Sequence, residues 1–119
     1  MGLSITALAD DYAVAPQVTP ADLPGLAAQG FRTLINHRPD GEGGAAQPRH
    51  EELAKAASKA GMQSFYIPVV PHAMQPADVV RLERALANAP RPVLAFCATG
   101  QRATAAWQAR QARQQTGDD

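Results

Sequence analysis

Residues 92–107 read PVLAFCATGQRATAAW, and they hold the chain's one cysteine, Cys97. PVLAF is a continuous apolar run of the kind found in a strand buried on both faces. ATAAW and the residues after it predict a helix that starts near Arg102 and runs to about Gln115. Between them lies the loop Cys97-Ala98-Thr99-Gly100-Gln101-Arg102. A strand, a short glycine-containing loop and a helix in that order turn backbone N–H groups inward as a concave anion nest. The following helix aims its positive N-terminus at the same point. Gly100 permits the positive φ or close backbone approach such a wrap needs, and Arg102 adds a planar fork of donors that suits an oxyanion. A thiol in that field gives up its proton readily and becomes a nucleophile. The plainer alternative is that Cys97 is an ordinary core residue, since free cysteines are among the most buried side chains.

Outward from this stretch the chain alternates strand and helix. LSITAL and YAVAP predict two short strands in a hairpin across Ala9, Asp10 and Asp11. TPADLPGLAAQG predicts a helix starting at Pro20 or at Asp22 and stopping at Gly30; Pro24 favours the later start, because proline is tolerated only in the first turn. FRTLINH is a strand, RPDGEGGAAQP a loop by composition, and RHEELAKAASKAG a helix. MQSFYIPVV predicts a strand, PHAMQP a loop, and ADVVRLERALANA an amphipathic helix with Val79, Leu82 and Leu86 on one face. TGDD at 116–119 reads as a frayed tail. This alternation implies an α/β fold in three layers, with a mainly parallel central sheet of four to five strands and right-handed crossovers. In such sheets ligands sit beyond the carboxyl ends of the strands. The loops after TLINH, FYIPV and PVLAF all fall there.

The chain has 119 residues, which suits one domain over 1–119. With 45% apolar and 18% charged residues it is globular rather than disordered. Eleven basic and eleven acidic residues balance to zero, which argues against a nucleic-acid or anionic-membrane partner. The start, MGLSITALADD, lacks a basic region and a long apolar stretch, and no run approaches the ~18 apolar residues of a membrane span. A lone cysteine cannot form an internal disulfide, which fits a reducing, cytoplasmic setting. His37, His50 and His72 are scattered without ligand spacing, so no metal and no cofactor is expected.

Three blocks, APQVTPADLPGLAAQGFRTLINHRPDGE, FYIPV and PVLAFCATGQRA, resemble the phosphatase-like domain family of beta-lactamase-hydrolase-like proteins. These are small bacterial domains with a protein-tyrosine/dual-specificity-phosphatase-like fold. The resemblance runs from about Tyr12 to Arg110. It implies a Cys97 nucleophile, with the backbone of Ala98, Thr99, Gly100 and Gln101 and the Arg102 side chain as the cradle for a small anionic substrate.

Two departures from such phosphatases stand out. They carry five residues between cysteine and arginine; here there are four, the loop length of rhodanese-like sulfurtransferases, whose cysteine carries one sulfane sulfur. They also place an aspartate after the strand equivalent to FYIPV; here the chain reads VPHAMQ. Phe96 replaces a histidine before the cysteine, and Ala103 stands where a hydroxyl often follows the arginine. Asp40, at the ligand edge of the sheet, and His72, after the strand that contains FYIPV, are the candidate substitute acids, and Arg38, beside Asp40, is the candidate to bind a second charged group. Arg38, Asp40 and Glu42 have a structural alternative as a loop-ordering ion pair and turn, since PDGE is ordinary turn chemistry. His50 reads as a surface residue at a helix start, Asp78 as a first-turn acid, Trp107 as core, and His37 as either adjacent to the site or a strand cap. Three readings follow: phosphate-ester hydrolysis, sulfur transfer through a Cys97 persulfide, and a non-catalytic anion- or partner-binding module.

Overall fold

The computed structural model describes residues 2–116. Five strands, β1 (Thr6–Ala9), β2 (Tyr12–Ala15), β3 (Thr33–Asn36), β4 (Gln63–Tyr66) and β5 (Val93–Phe96), form one sheet in the order β1-β2-β5-β3-β4. β1 pairs antiparallel with β2, and all other pairings are parallel. The helices are α1 (Leu23–Ala28), α2 (His50–Lys59), α3 (Pro76–Asn88) and α4 (Gln101–Thr116). The mainly parallel sheet of the expected α/β fold is present at the upper of the two strand counts.

Side chains alternate along each central strand and divide the core in two. Tyr12, Val14, Ile35, Val93, Ala95 and Cys97 pack with Leu82 and Leu86 of α3 and Ala103 and Ala106 of α4. Ala13, Ala15, Leu34, Leu94 and Phe96 face the other way, against Leu23 and Leu26 of α1 and Leu53 and Ala57 of α2. β5 lies between β2 and β3, so all four of its residues are fully buried. That accounts for its uninterrupted apolar run. Trp107 is only partly buried; it packs on the rim of the first cluster with its ring tilted against Tyr12 at a centroid distance of 6.1 Å.

Several boundaries differ from those expected. β1 begins at Thr6 and includes Ala9, because Ala9 pairs with Tyr12 across a two-residue Asp10-Asp11 turn. Of the segment from Pro20, the first three residues form a 3₁₀ turn and the α-helix starts at Leu23, with Pro24 in its first turn. Gly30, at φ 101°, ends it. β4 stops at Tyr66 rather than running to Val70. Ile67 and Val69 still donate to Asn36 and His37 carbonyls at 2.9 Å each, but Pro68 has no N–H with which to continue a ladder. α3 starts at Pro76, with the Gln75 N–H held by the Asp78 carboxylate at 2.8 Å, the first-turn role expected of Asp78. Thr116 ends α4, and residues 117–119 of the expected tail lie outside the described residues.

Candidate active site

The β5–α4 junction is built from backbone constraints. Gly100 adopts φ 97°, a left-handed conformation that favours glycine, while a Cβ there would meet the backbone of Ala15 at an ordinary contact distance of 3.6 Å. Its carbonyl accepts from the Thr104 N–H at 3.0 Å and from the Thr104 hydroxyl at 2.8 Å, which fixes the first turn of α4. The Ala98 carbonyl accepts from the Gln17 N–H at 3.3 Å, tying the loop to the end of β2. Inside the loop the Gly100 N–H donates to Cys97 Sγ at 3.1 Å. Cys97 has no exposed surface and lies at the floor of the loop on the α3/α4 side of the sheet. Ala98 is half-buried, and Thr99 and Gln101 are exposed above it.

Arg102 reaches over this loop with 15% of its side chain exposed. Its Nη1 donates to the Val69 carbonyl at 2.9 Å and to Glu42 Oε1 at 2.7 Å, and its Nη2 donates to Glu42 Oε2 at 2.6 Å. Glu42, and after it the Cys97 thiol, strengthen the guanidinium's hold on its proton. The same Glu42 carboxylate accepts from Arg38 Nε at 2.9 Å, and Arg38 Nη1 donates to Gln17 Oε1 at 3.0 Å. The two guanidiniums, Arg102 first, hold Glu42 below the usual carboxylate range. Arg38 and Glu42 do form the loop-ordering pair, but that pair extends to the cysteine loop through Arg102. Gly43 makes room for it: a Cβ there would sit 2.8 Å from Arg38 Nη2.

Asp40 faces the other way. Its Oδ1 accepts from the His50 N–H at 2.7 Å and its Oδ2 lies 3.6 Å from Arg49 Nη2, so it caps the start of α2, while its own N–H donates to the Tyr66 hydroxyl at 2.8 Å. These bonds occupy the carboxylate at the helix terminus. His50 starts α2 as expected but is half-buried rather than a surface residue: its ring stacks on Tyr66 at 4.6 Å, and its Nδ1 accepts from Asn36 Nδ2 at 3.2 Å.

His72 belongs to a hydrogen-bonded turn, with the Ala73 N–H on the Val70 carbonyl at 3.1 Å. Pro71 takes the second position and His72 the third, at φ 59°. That is type II geometry with a histidine where glycine is usual. The turn and the cysteine loop together bound a cleft of about 370 Å³, onto which His72, Arg102, Ala98, Thr99 and Gln101 all open. Of the candidate residues, therefore, Ala98, Thr99, Gln101, Arg102 and His72 gather on one cleft, with Cys97 and Gly100 buried in the loop beside it. Arg38 joins them through Glu42, and Asp40 serves the neighbouring helix. No group of three or more His, Cys, Asp or Glu among the described residues is arranged to hold a metal ion.

His37 lies beneath Arg102 with no exposed surface, and its Nδ1 donates to the Ile67 carbonyl at 2.9 Å. Burial lowers its pKa from 6.5 to about 4, against the opposing pull of that hydrogen bond. The native state therefore keeps His37 neutral between pH 6.5 and about 4 while the unfolded chain takes up a proton. Stability from this group is present above about 6.5 and falls as pH drops, by up to about 1.4 kcal/mol per pH unit. Urea midpoints are expected to fall between pH 7 and 5, and His37→Leu, although less stable overall, is expected to lose most of that slope. An unchanged slope in the variant would assign it to other groups.

Comparisons with known proteins bear on the family and the fold. A sequence model of the phosphatase-like domain of beta-lactamase hydrolase-like proteins matches residues 4–114. The chain belongs to that family. A beta-lactamase hydrolase-like protein of Agrobacterium fabrum is 42% identical over 90 residues, 76% of this chain. The chain spans only 21% of that relative's length. A crystal structure of a phosphatase candidate from Neisseria meningitidis superposes with a TM-score of 0.83 at 33% identity, covering 92% of this chain and 78% of that one. The kinase-associated phosphatase, solved with its catalytic-site cysteine replaced by serine, superposes at 0.63 and 16% identity over 84% of this chain and 67% of its own, which shows a shared fold. The fold of this phosphatase-like domain is thus that of the protein-tyrosine and dual-specificity phosphatases. No helix among the described residues is long and apolar enough to cross a membrane.

Glu42 is the residue that sequence reasoning did not place in the site. Its signal was its position in the loop after β3, at the ligand edge. Its partner Arg102 is 60 residues away, beyond any local pattern.

Proposed function

We propose that this domain is a cysteine-dependent hydrolase of phosphate monoesters. The observation that carries the reading is the convergence of the Cys97 thiol, the Gly100 N–H and the Arg102 guanidinium at the N-terminus of α4. Cys97 Sγ attacks phosphorus, and the P–O bond to the alcohol breaks. The alcohol leaves with a proton from His72, the titratable group besides Arg102 on the cleft. Water then attacks the cysteinyl phosphate, gives a proton back to His72, and releases inorganic phosphate and the thiolate. Loop amides and Arg102 oppose the charge that gathers on the phosphoryl oxygens. Glu42 is not the acid in this scheme, because two guanidiniums hold it ionised. A single phosphatase-like domain over 1–119 in a reducing compartment is part of the same reading.

The four-residue spacing from Cys97 to Arg102 favours a second reading, sulfur transfer. There Sγ attacks the outer sulfur of thiosulfate, sulfite leaves, and the Cys97 persulfide passes its sulfur to an acceptor thiol. Leaving sulfite needs no proton donor, which fits the commitment of Asp40 to α2 and of Glu42 to the arginines.

Intact-mass analysis after incubation with an aryl phosphate, and separately with thiosulfate, tests the two. Cys97-dependent release of phosphate, or a phosphate adduct on Cys97, is the expected result. A stable one-sulfur adduct with no phosphate release would replace the phosphatase reading with the sulfurtransferase one. No adduct and no release in either arm would leave Cys97 as a buried core thiol.

A further inference from the structure

The turn Val70-Pro71-His72-Ala73 has a consequence for what the cleft accepts. Val69 is held by two bonds: its N–H on the His37 carbonyl and its carbonyl on Arg102. Its side chain is in the core at 1% exposure. The next side chain along an extended backbone points the opposite way, and Val70 is 58% exposed. The Pro71-His72 turn then folds back and holds Val70 at the cleft. With Val69, Pro71 and Met74 it forms the apolar side of a concave cleft that also holds Arg102, the arrangement of a small-molecule site.

The cleft walls bear this out. Val69, Val70, Pro71, Met74, Ala98 and Ala105 supply the apolar lining, and Arg102 and His72 are the titratable groups on it. Arg38 does not line it; its guanidinium is taken up by Glu42 and Gln17. The pair of arginines and Glu42 together leave one net positive charge at the site. One anionic head group finds a partner there, but a second phosphate would find only the His72 ring, whose proton goes to the leaving alcohol, and otherwise an apolar wall that does not offset its lost hydration. At about 370 Å³ the cleft is near the small end of ligand-pocket sizes.

We propose that the substrates are small, single-headed phosphomonoesters with an apolar aryl or short branched alkyl body, the phosphate at Cys97 and Arg102 and the body against Val70 and Met74. This rests on the phosphate-ester reading above. Nucleotides, inositol polyphosphates and other multiply charged esters are selected against. An aryl phosphate could be free or borne on a peptide; the absence of further charged side chains on the cleft to hold a peptide's flanking residues assigns it to the free molecule.

Calorimetric titration of the wild-type protein with inorganic phosphate, methylphosphonate, phenylphosphonate, pyrophosphate and a peptide carrying phosphonomethyl-phenylalanine is the test. Phenylphosphonate is expected to bind about tenfold more tightly than methylphosphonate, the gain from roughly 60 Å² of additional apolar burial. Val70→Asn, at an exposed position, is expected to cut that ratio to about threefold or less, and pyrophosphate is expected to bind no more tightly than phosphate. Equal affinity for the two phosphonates, tighter binding of pyrophosphate than of phenylphosphonate, or tighter binding of the peptide than of phenylphosphonate would overturn the inference while leaving an anion site in place. Failure of every ligand to bind, inorganic phosphate included, would remove the phosphate-ester reading itself and this inference with it.

Discussion

Cys97→Ser is expected to lower turnover of an aryl phosphate by about 10⁴-fold or more while leaving phosphate affinity within about threefold of wild type. The substitution exchanges one heavy atom for a slightly smaller one at a position with no exposed surface, so the loop keeps its shape. A serine oxygen still accepts the Gly100 N–H that now meets Sγ at 3.1 Å. A serine hydroxyl is a far weaker nucleophile than a cysteine sulfur. Nucleophilicity is lost and the cradle remains. Steady-state kinetics paired with calorimetry separate the alternatives. Loss of turnover with binding retained identifies Cys97 as the nucleophile. A wild-type protein that binds phosphate, turns over nothing, and is unaffected by the substitution would be an anion-binding module.

Arg102→Lys is expected to lower kcat/KM by about 10²–10³-fold, despite keeping the charge. The guanidinium makes two bonds to Glu42 and one to the Val69 carbonyl. A lysine ammonium cannot span that fork and still oppose the phosphoryl oxygens. Glu42→Gln is expected to cost about tenfold, because Arg102 would keep Val69 and lose its charged anchor. The two changes should not add. With Arg102 replaced, Glu42 retains Arg38 at 2.9 Å and no longer orients anything over Cys97. A double-mutant cycle on kcat/KM reads this directly, and strict additivity would mean that Glu42 acts on the loop through Arg38 alone. Glycine at 43 is part of the same device, since a side chain there would displace Arg38.

Much of the site was readable because its signals are local. The apolar run of β5, Gly100 and the helix that follows are contiguous, and their spacing alone implies a concave loop facing a helix terminus. The insertion of Cys97 among buried residues was also visible in outline, since it ends a strand with no polar face. The partners of the neighbouring charges were less legible. Asp40 stood at the ligand edge in sequence order, yet it turns to the His50 N–H and Arg49, because the start of α2 offers unsatisfied donors nearby. His50 reads as a surface residue until Tyr66 of β4 is brought against it. The length of β4 was overread because its apolar pattern continues past Tyr66, whereas Pro68 interrupts the donors without interrupting the hydrophobicity.

By itself the sequence determined the α/β alternation, the strand and helix faces, the glycine-dependent loop and the placement of a thiol and an arginine on either side of it. These follow from periods of two and 3.6 residues and from backbone preferences that act over a few positions. The tertiary structure alone decided that β5 lies between β2 and β3, that Glu42 bridges Arg38 and Arg102, and that Val70 stands exposed over the cleft. Each of these joins segments tens of residues apart, and their pairing is set by which faces must be buried together and which charges that burial leaves side by side.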